Sequence, residues 1–329
     1  MKGLFASLAA LACVGTFAQA VIIMPDSTNN RTVLFNPQDG SVINGAYFAL
    51  AAGTPIHAMR VGDEIWVSEQ IGDRVSRWSL TGTFLGQIGT AGFDNIRGMG
   101  RVGDTIYVTN AGTANGAPGN AVVMLDPSGA PLGSFSTVGL APGPFGVLEH
   151  QSGILVSSSS ANDDIHKFSL TGTPLGTFHN TTSLNFAEQM AYAADGNVLV
   201  GGFSSNNVVR LDVNSGALID SFAASGARGV IQLCNGNIMW TNGSGAHIRD
   251  VVAGSSALIY AGGGRYLQLI RLNGPGDVNG DGCVDDTDLA IGLESFGMGC
   301  EGVQADLNLD GVVDDTDLAL VLENFGVGC

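Results

Sequence analysis

Positive charge is what this chain has least of. Its 329 residues hold 13 Lys and Arg against 30 Asp and Glu, a formal net charge of −17, and only 13% of residues are charged at all. With no basic patch to meet a phosphate backbone, nucleic-acid binding is excluded as a reading. Aromatic residues are few, at 7%. Signatures of catalysis are also lacking. His57, His150, His166, His179 and His247 show neither i, i+4 pairing nor an HExxH pattern, so a zinc site has no support. Ser157 to Ser160 run together without a G-x-S-x-G context, and no Gly-rich phosphate loop opens a helix after a strand. Beyond the N-terminus, no apolar run is long enough to span a bilayer.

The N-terminus itself has the parts of a secretory leader. Lys2 precedes an apolar run from Leu4 to Phe17, and Ala18-Gln19-Ala20 supplies small residues at a cleavage site. Residues 1–20 are therefore expected to be a signal peptide cut after Ala20, and the mature protein to be secreted or held at the cell surface.

What the chain has in excess is acid at its far end. Residues 273–329 contain 13 Asp and Glu and no Lys or Arg. They also hold one segment twice, DVNGDGCVDDTDLAIGLESFG from Asp277 and DLNLDGVVDDTDLALVLENFG from Asp306, identical at 15 of 21 positions. Oxygen-bearing side chains at alternate steps with Gly at the sixth suit a loop that wraps a hard cation. The first ligand set is Asp277, Asn279, Asp281, the Cys283 carbonyl, Asp285 and Asp288. The second is Asp306, Asn308, Asp310, the Val312 carbonyl, Asp314 and Asp317. Gly282 and Gly311 sit at the turns, and Val284 and Val313 at step eight are expected to face a small core. Apolar residues then recur at helical spacing, Leu289, Ile291, Leu293 and Phe296, and Leu318, Leu320, Leu322 and Phe325, stopped by Gly297 and Gly326. The expectation is two bound Ca²⁺. A merely acidic disordered tail would not duplicate a ligand register beside an apolar stripe.

This segment resembles a type I dockerin, with two loop-helix units, no leading helix and Asp at step twelve. The resemblance implies calcium-dependent docking to a cohesin-like module. It also implies that Asp286, Thr287, Asp315 and Thr316, just before step twelve, are the partner-binding positions. Export would leave four cysteines, Cys234, Cys283, Cys300 and Cys329, with three possible pairings. If the two helices pack antiparallel, Cys283 and Cys329 approach, and that pairing is favoured. Cys234 lies in a strand-like stretch and reads as a buried thiol.

Residues 21–272 carry a repeat. Short apolar strands begin at 21 (VIIM), 64 (EIWV), 105 (TIYV), 153 (GILV), 197 (NVLV) and 237 (NIMW). Each is followed by a polar turn and a second strand such as RVSRW or NVVRL, then a Gly-containing turn and a third such as TGTFLGQI or TGTPLGTF. Such a period with about four strands per unit is a propeller blade. The first unit lacks the strand that precedes the others, and RYLQLIRL at 265 supplies it after the sixth. The fold class is thus an all-β six-bladed β-propeller with a small α-helical, EF-hand-like calcium module at the C-terminus. The turns PDSTNNRTVLF and SEQIGDRVSRW resemble those of NHL-type propellers.

Turn residues Asp26, Glu69, Asn110, Asn162, Asn207 and Asn242 share one face. In lactonase- and lyase-type propellers a metal is held by Glu, Asn and Asp at the channel mouth, and Glu69, Asn110 and Asp26 imitate that set. Capping of turns by these side chains is the favoured reading. Two functions follow. One is a secreted binding protein whose propeller grips a glycan or peptide, a reading that carboxamides and aromatics such as Trp66, Tyr107, Trp240 and Tyr260 at the channel mouth would favour. The alternative is a secreted propeller enzyme of polysaccharide breakdown: a glycoside hydrolase, lyase or lactonase.

Overall fold

The computed structural model describes residues 20–89, 91–160 and 164–329. The expected leader, apart from Ala20, and the turn residue Asn162 lie outside the described residues. The chain divides into two compact units, with a boundary between Leu272 and Asn273.

The larger unit is a six-bladed β-propeller of six four-stranded antiparallel sheets. Blade 1 contains β1 (Ala20–Asp26), β2 (Arg31–Phe35) and β3 (Val42–Asn44). Blade 2 is β4 (Pro55–Val61), β5 (Glu64–Glu69), β6 (Arg74–Ser79) and β7 (Phe84–Ile88). Blade 3 is β8 (Ile96–Val102), β9 (Thr105–Asn110), β10 (Ala121–Leu125) and β11 (Pro131–Ser136). Blade 4 is β12 (Pro144–His150), β13 (Gly153–Ser158), β14 (Ile165–Ser169) and β15 (Pro174–His179). Blade 5 is β16 (Ala187–Tyr192), β17 (Val198–Gly202), β18 (Asn207–Leu211) and β19 (Leu218–Ala223). Blade 6 is β20 (Val230–Gln232), β21 (Ile238–Asn242), β22 (Gly245–Asp250) and β23 (Ser255–Ala261).

The last strand, β24 (Gln268–Arg271), returns to blade 1 and pairs with β1, Val21 opposite Ile270 and Ile23 opposite Gln268. This is the expected closure by RYLQLIRL, and it leaves no open inner edge on the first blade.

Why these strands are apolar on both faces follows from the stacking of blades. Side chains alternate across a strand, and each blade is covered on both sides. Ile65 and Val67 of β5 pack against blade 1, while Trp66 between them packs against blade 3. Ile106 and Val108 likewise face blade 2, and Tyr107 faces blade 4. Blades 4 and 5, and 5 and 6, share further buried clusters, and one built on Ile22, Met24, Met239 and Leu267 joins blade 6 to blade 1. Outermost strands are largely exposed. Left-handed glycines there, Gly86, Gly133 and Gly176, sit beside register shifts that disrupt the ladder and blunt those edges.

The smaller unit contains two nine-residue helices, α1 (Asp286–Glu294) and α2 (Asp315–Glu323). Val278, Val284, Ala305, Val313 and Val321 form its core, with Val284 and Val313 in the expected place. Two pairs of backbone bonds clamp it. Val284 exchanges N–H and C=O bonds with Val327 and Gly326 after α2, and Val313 does the same with Met298 and Gly297 after α1. Cys283 and Cys329 form a disulfide beside the first clamp, with Cα atoms 4.7 Å apart. The helical stripes are not wholly core: Leu293, Phe296, Leu322 and Phe325 are exposed. Nine-residue helices around so small a core have two sides, and only one can be covered. Cys234 is corrected as well. It lies in the turn after β20, half-buried, and is disulfide-bonded, as is Cys300.

Candidate functional site

The innermost strands begin at the propeller axis, each bringing one side chain there from its first residues or just before: Ile56, Arg97, Phe145, Glu188, Arg228 and Tyr266. Ile56, Phe145 and Tyr266 share one buried cluster with Phe186 packed against it. The Arg97 guanidinium lies 3.9 Å from the Phe145 ring centroid. Register shifts fall at this level in β4, β8, β12 and β16. Such bulges re-aim side chains next to binding sites.

The residue after the ring position is a glycine in three blades because the next blade comes too close. A Cβ on Gly98 would lie 2.3 Å from the Phe145 carbonyl oxygen, and one on Gly229 2.4 Å from that of Arg265. Hydroxyls of the second strands tie the blades together at the same level. Ser68 donates to the Arg97 carbonyl at 2.5 Å, Thr109 to that of Phe145 at 3.0 Å, Ser157 to that of Glu188 at 2.6 Å and Thr241 to that of Arg265 at 2.6 Å. His57 and Gln189 replace the glycine in two blades and bond the neighbouring backbone. Met99 N–H donates to His57 Nδ1 at 3.1 Å, and Val230 and Leu267 N–H donate to Gln189 Oε1 at 3.0 and 2.9 Å.

Two residues before the ring position the backbone turns left-handed in blades 2 to 6, at Thr54, Asn95, Gly143, Phe186 and Gly226. Asn and Gly accept that conformation readily; a bulky Phe does so at a cost. Phe186, at φ 57°, is therefore strained. Its carbonyl accepts from Phe203 N–H at 2.9 Å, and its ring lies 5.0 Å from Phe145 and 5.1 Å from Phe203.

Electrostatically the site is lopsided. Arg97, Arg228 and Arg265 surround one carboxylate, Glu188, whose nearest guanidinium nitrogen is Arg228 Nε at 4.0 Å. Burial outweighs the three arginines and pushes the Glu188 carboxyl up to about 7. Burial also lowers Arg97 and Arg265 to about 10, and holds the Tyr266 hydroxyl far above its ordinary value. His57 nearby is depressed to about 4, because burial penalises the imidazolium. None of the ring residues was singled out from sequence. The signal was present as the dipeptides Arg97-Gly98 and Arg228-Gly229 at the start of inner strands, in a chain poor in arginine.

The turn residues occupy the same end but are engaged in structure. Asp26, fully buried, accepts from the backbone N–H groups of Thr28, Asn29 and Gly263 and from the Tyr260 hydroxyl. Glu69 pairs with Arg74 at 2.7 Å. Asn110 accepts from Asp94 N–H and donates to the Gly112 carbonyl, while Asn207 and Asn242 donate to the Ser183 and Ser225 carbonyls. Side-chain capping, the favoured reading, describes Asp26, Asn110, Asn207 and Asn242; Glu69 instead forms the ion pair, and its Oε1 is buried without a hydrogen-bond partner. The aromatics that would have favoured a binding mouth are engaged elsewhere. Trp66, Tyr107 and Trp240 are buried between blades, and the Tyr260 hydroxyl bonds Asp26 and Arg31. Both faces of a blade are covered, so strand aromatics go to the seams.

In the smaller unit the two loops share most of their hydrogen bonds and differ at the first step, where Asp277 Oδ1 accepts from Gly280 N–H and Asp306 Oδ1 from Asp310 N–H. Asp288 accepts from Val278, Asn279 and Asp285 N–H, and Asp317 from Leu307, Asn308 and Asp314 N–H. Asp285 and Asp314 cap their helices by accepting from Thr287 and Thr316 N–H. Asn279 and Asp281, and Asn308 and Asp310, each accept from the N–H two residues on. Gly282 and Gly311 turn left-handed, as step six requires. Burial raises Asp277 and Asp306 above the usual carboxylate range, and neighbouring carboxylates add to the rise. Among the described residues, no three His, Cys, Asp or Glu side chains are drawn together as a metal cluster. The donor set is nonetheless all oxygen, with desolvated, mutually repelling carboxylates at the first step. That chemistry fits a hard divalent cation. Beside the loops an open apolar groove is lined by Leu293, Phe296, Asp315, Leu318, Ala319 and Leu322.

No family model and no curated protein matches this chain. Solved structures do match. A protein of unknown function from Bacteroides caccae is similar over 76% of this chain and 98% of its own, at 14% identity and a TM-score of 0.56. A chain from a nidogen/laminin complex is similar over 76% of this chain and 97% of its own, at 11% identity and a TM-score of 0.62. These likenesses are of fold alone. No helix among the described residues is long and apolar enough to cross a membrane, and disulfides belong to oxidising, non-cytosolic compartments.

Proposed function

We propose that this is a secreted, non-catalytic binding protein whose propeller grips a ligand and whose C-terminal module moors it to an extracellular or cell-surface assembly. The duplicated loop, with the same step-twelve and helix-capping hydrogen bonds in both copies, carries the reading. One Ca²⁺ would be held by Asp277, Asn279, Asp281, the Cys283 carbonyl, Asp285 and Asp288. A second would be held by Asp306, Asn308, Asp310, the Val312 carbonyl, Asp314 and Asp317. Each ion neutralises charge that the loops otherwise hold against repulsion. The partner is a cohesin-like module. Its footprint takes in Asp286, Thr287, Asp315 and Thr316, and the apolar groove beside Asp315 supplies the uncharged centre that such an interface needs.

Calorimetric titration of the full chain with Ca²⁺ tests the first half, with a stoichiometry of about two per chain expected on the two-loop count. Capture of a cohesin-like module in calcium, and its release in chelator, tests the second. Absence of heat on calcium addition overturns the reading.

A further inference from the structure

We propose that the axial end of the propeller binds the oxyanion group of a small organic acid, held by Arg97, Arg228, Arg265 and Tyr266 against the face of Phe186. This deepens the reading of the propeller as a ligand-binding domain and is independent of the calcium loops.

The first argument is uncompensated charge. Among the described residues, Arg97 bonds only neutral oxygens: the Gly143 and Pro144 carbonyls at 2.9 and 3.3 Å and Asn95 Oδ1 at 3.4 Å. Arg265 donates to Ser27 Oγ at 2.9 Å. Among the described residues, neither arginine has a carboxylate within 4.0 Å, and Arg228 reaches only Glu188, at that limit. Three guanidiniums thus face one carboxylate whose own proton affinity is raised. Desolvated charge without a partner is costly, and an anion from solution removes that cost.

The second argument is unmet hydrogen-bonding capacity at the same place. Arg228 Nε, the Tyr266 hydroxyl and Glu188 Oε2 are buried without hydrogen-bond partners. Buried polar atoms are ordinarily satisfied, and the two that can donate, Arg228 Nε and the Tyr266 hydroxyl, mark where an acceptor belongs. Planar guanidinium forks match the paired oxygens of a carboxylate or phosphate.

The third is the backbone strain at Phe186. A left-handed Phe persists where its surroundings over-determine it, and such outliers cluster at ligand sites. The half-buried rings of Phe186 and Phe203 form an apolar wall beside the arginines, with the Arg228 guanidinium 5.3 Å from the Phe203 centroid. Such a wall suits the carbon skeleton of an acid.

Titration calorimetry on the full chain tests this with three probes: D-glucuronate, inorganic phosphate and neutral D-glucose. Both oxyanions are expected to bind and glucose to give no heat. Tighter glucuronate assigns a carboxylate ligand, and tighter phosphate a phosphoryl ligand; either supports the site. Arg228→Gln should weaken binding about tenfold or more, the loss expected for hydrogen bonds to a charged group. Glu188→Gln removes the competing carboxylate at constant volume and should strengthen binding, which keeps the test open if the arginine variant does not fold. No heat from either oxyanion, or affinities unchanged in both variants, overturns the proposal. Repeating the titrations in excess chelator, and on Asp288→Ala in calcium, separates the two readings. The oxyanion signal should persist there while a calcium equivalent is lost.

Discussion

The Ser157 hydroxyl donates to the carbonyl of Glu188, 2.6 Å away in space and 31 residues on in sequence. The same Oγ accepts from the Gly146 N–H at 2.7 Å. One side chain therefore holds an inner strand to its own blade and to the next, immediately beneath the axial ring. Ser157→Ala would leave a buried N–H and a buried carbonyl unmet at once. We expect a loss of about 1–3 kcal/mol. Urea melts should show a lower midpoint at unchanged slope. Ser157→Thr, which keeps the hydroxyl and matches Thr109 and Thr241 in the sister blades, should recover most of it.

Two buried groups at the axis give opposing pH dependences. His57 has a folded value of about 4 against an ordinary 6.5. Between these values the unfolded chain carries a proton that the folded one refuses, so stability falls as pH drops from 6.5 toward 4. Glu188 has a folded value of about 7 against an ordinary 4.5. There the folded chain holds the extra proton, and stability falls as pH rises from 4.5 toward 7. The two slopes nearly cancel in the native protein. Glu188→Gln removes one and should unmask the other. Relative to the native chain, the variant should lose about 3 kcal/mol between pH 6.5 and 4. Chemical melts at several pH values would read this, and parallel profiles for the two chains would refute it.

Each step-twelve aspartate combines helix capping with loop closure, so its removal should act on one loop at a time. Asp288→Ala is expected to lower calcium stoichiometry from two to one, and Asp317→Ala to remove the other ion. Loss of the cap alone costs about 1 kcal/mol. Helical circular dichroism recorded with and without calcium should show the larger, calcium-dependent part.

The Cys283–Cys329 bond spans 46 residues. On the chain-entropy account, a closed loop of that length is worth about 4 kcal/mol. In a unit whose core is a handful of valines, reduction in chelator should unfold the module, and reduction in calcium should leave it folded. Near-ultraviolet and far-ultraviolet spectra of the isolated state changes would distinguish these outcomes.

Much of this was legible along the chain. EIWV and TIYV read as strands because both faces of a blade are covered, so their apolar runs need no alternation. RYLQLIRL read as the missing first strand because the repeat was one strand short at the N-terminus. Asp26 and Asn110 read as turn caps because short carboxylates and carboxamides bond their own backbone. The arginine ring was not legible. Arg97, Glu188, Arg228 and Tyr266 sit in separate repeats, tens of residues apart, and each alone is an ordinary polar residue at a strand start. Nor was the placing of Trp66 and Tyr107, since nothing local says which neighbouring blade each strand face meets. In the helices, an apolar stripe of uniform spacing hid the division between covered Val321 and exposed Leu322.

Repetition, strand and turn chemistry and the acidic loop register are properties of neighbouring residues, and so were settled by covalent order. Convergence of three guanidiniums on one carboxylate required closing six blades into a ring, because only closure brings inner-strand starts from every repeat within reach of one another and strips them of water together.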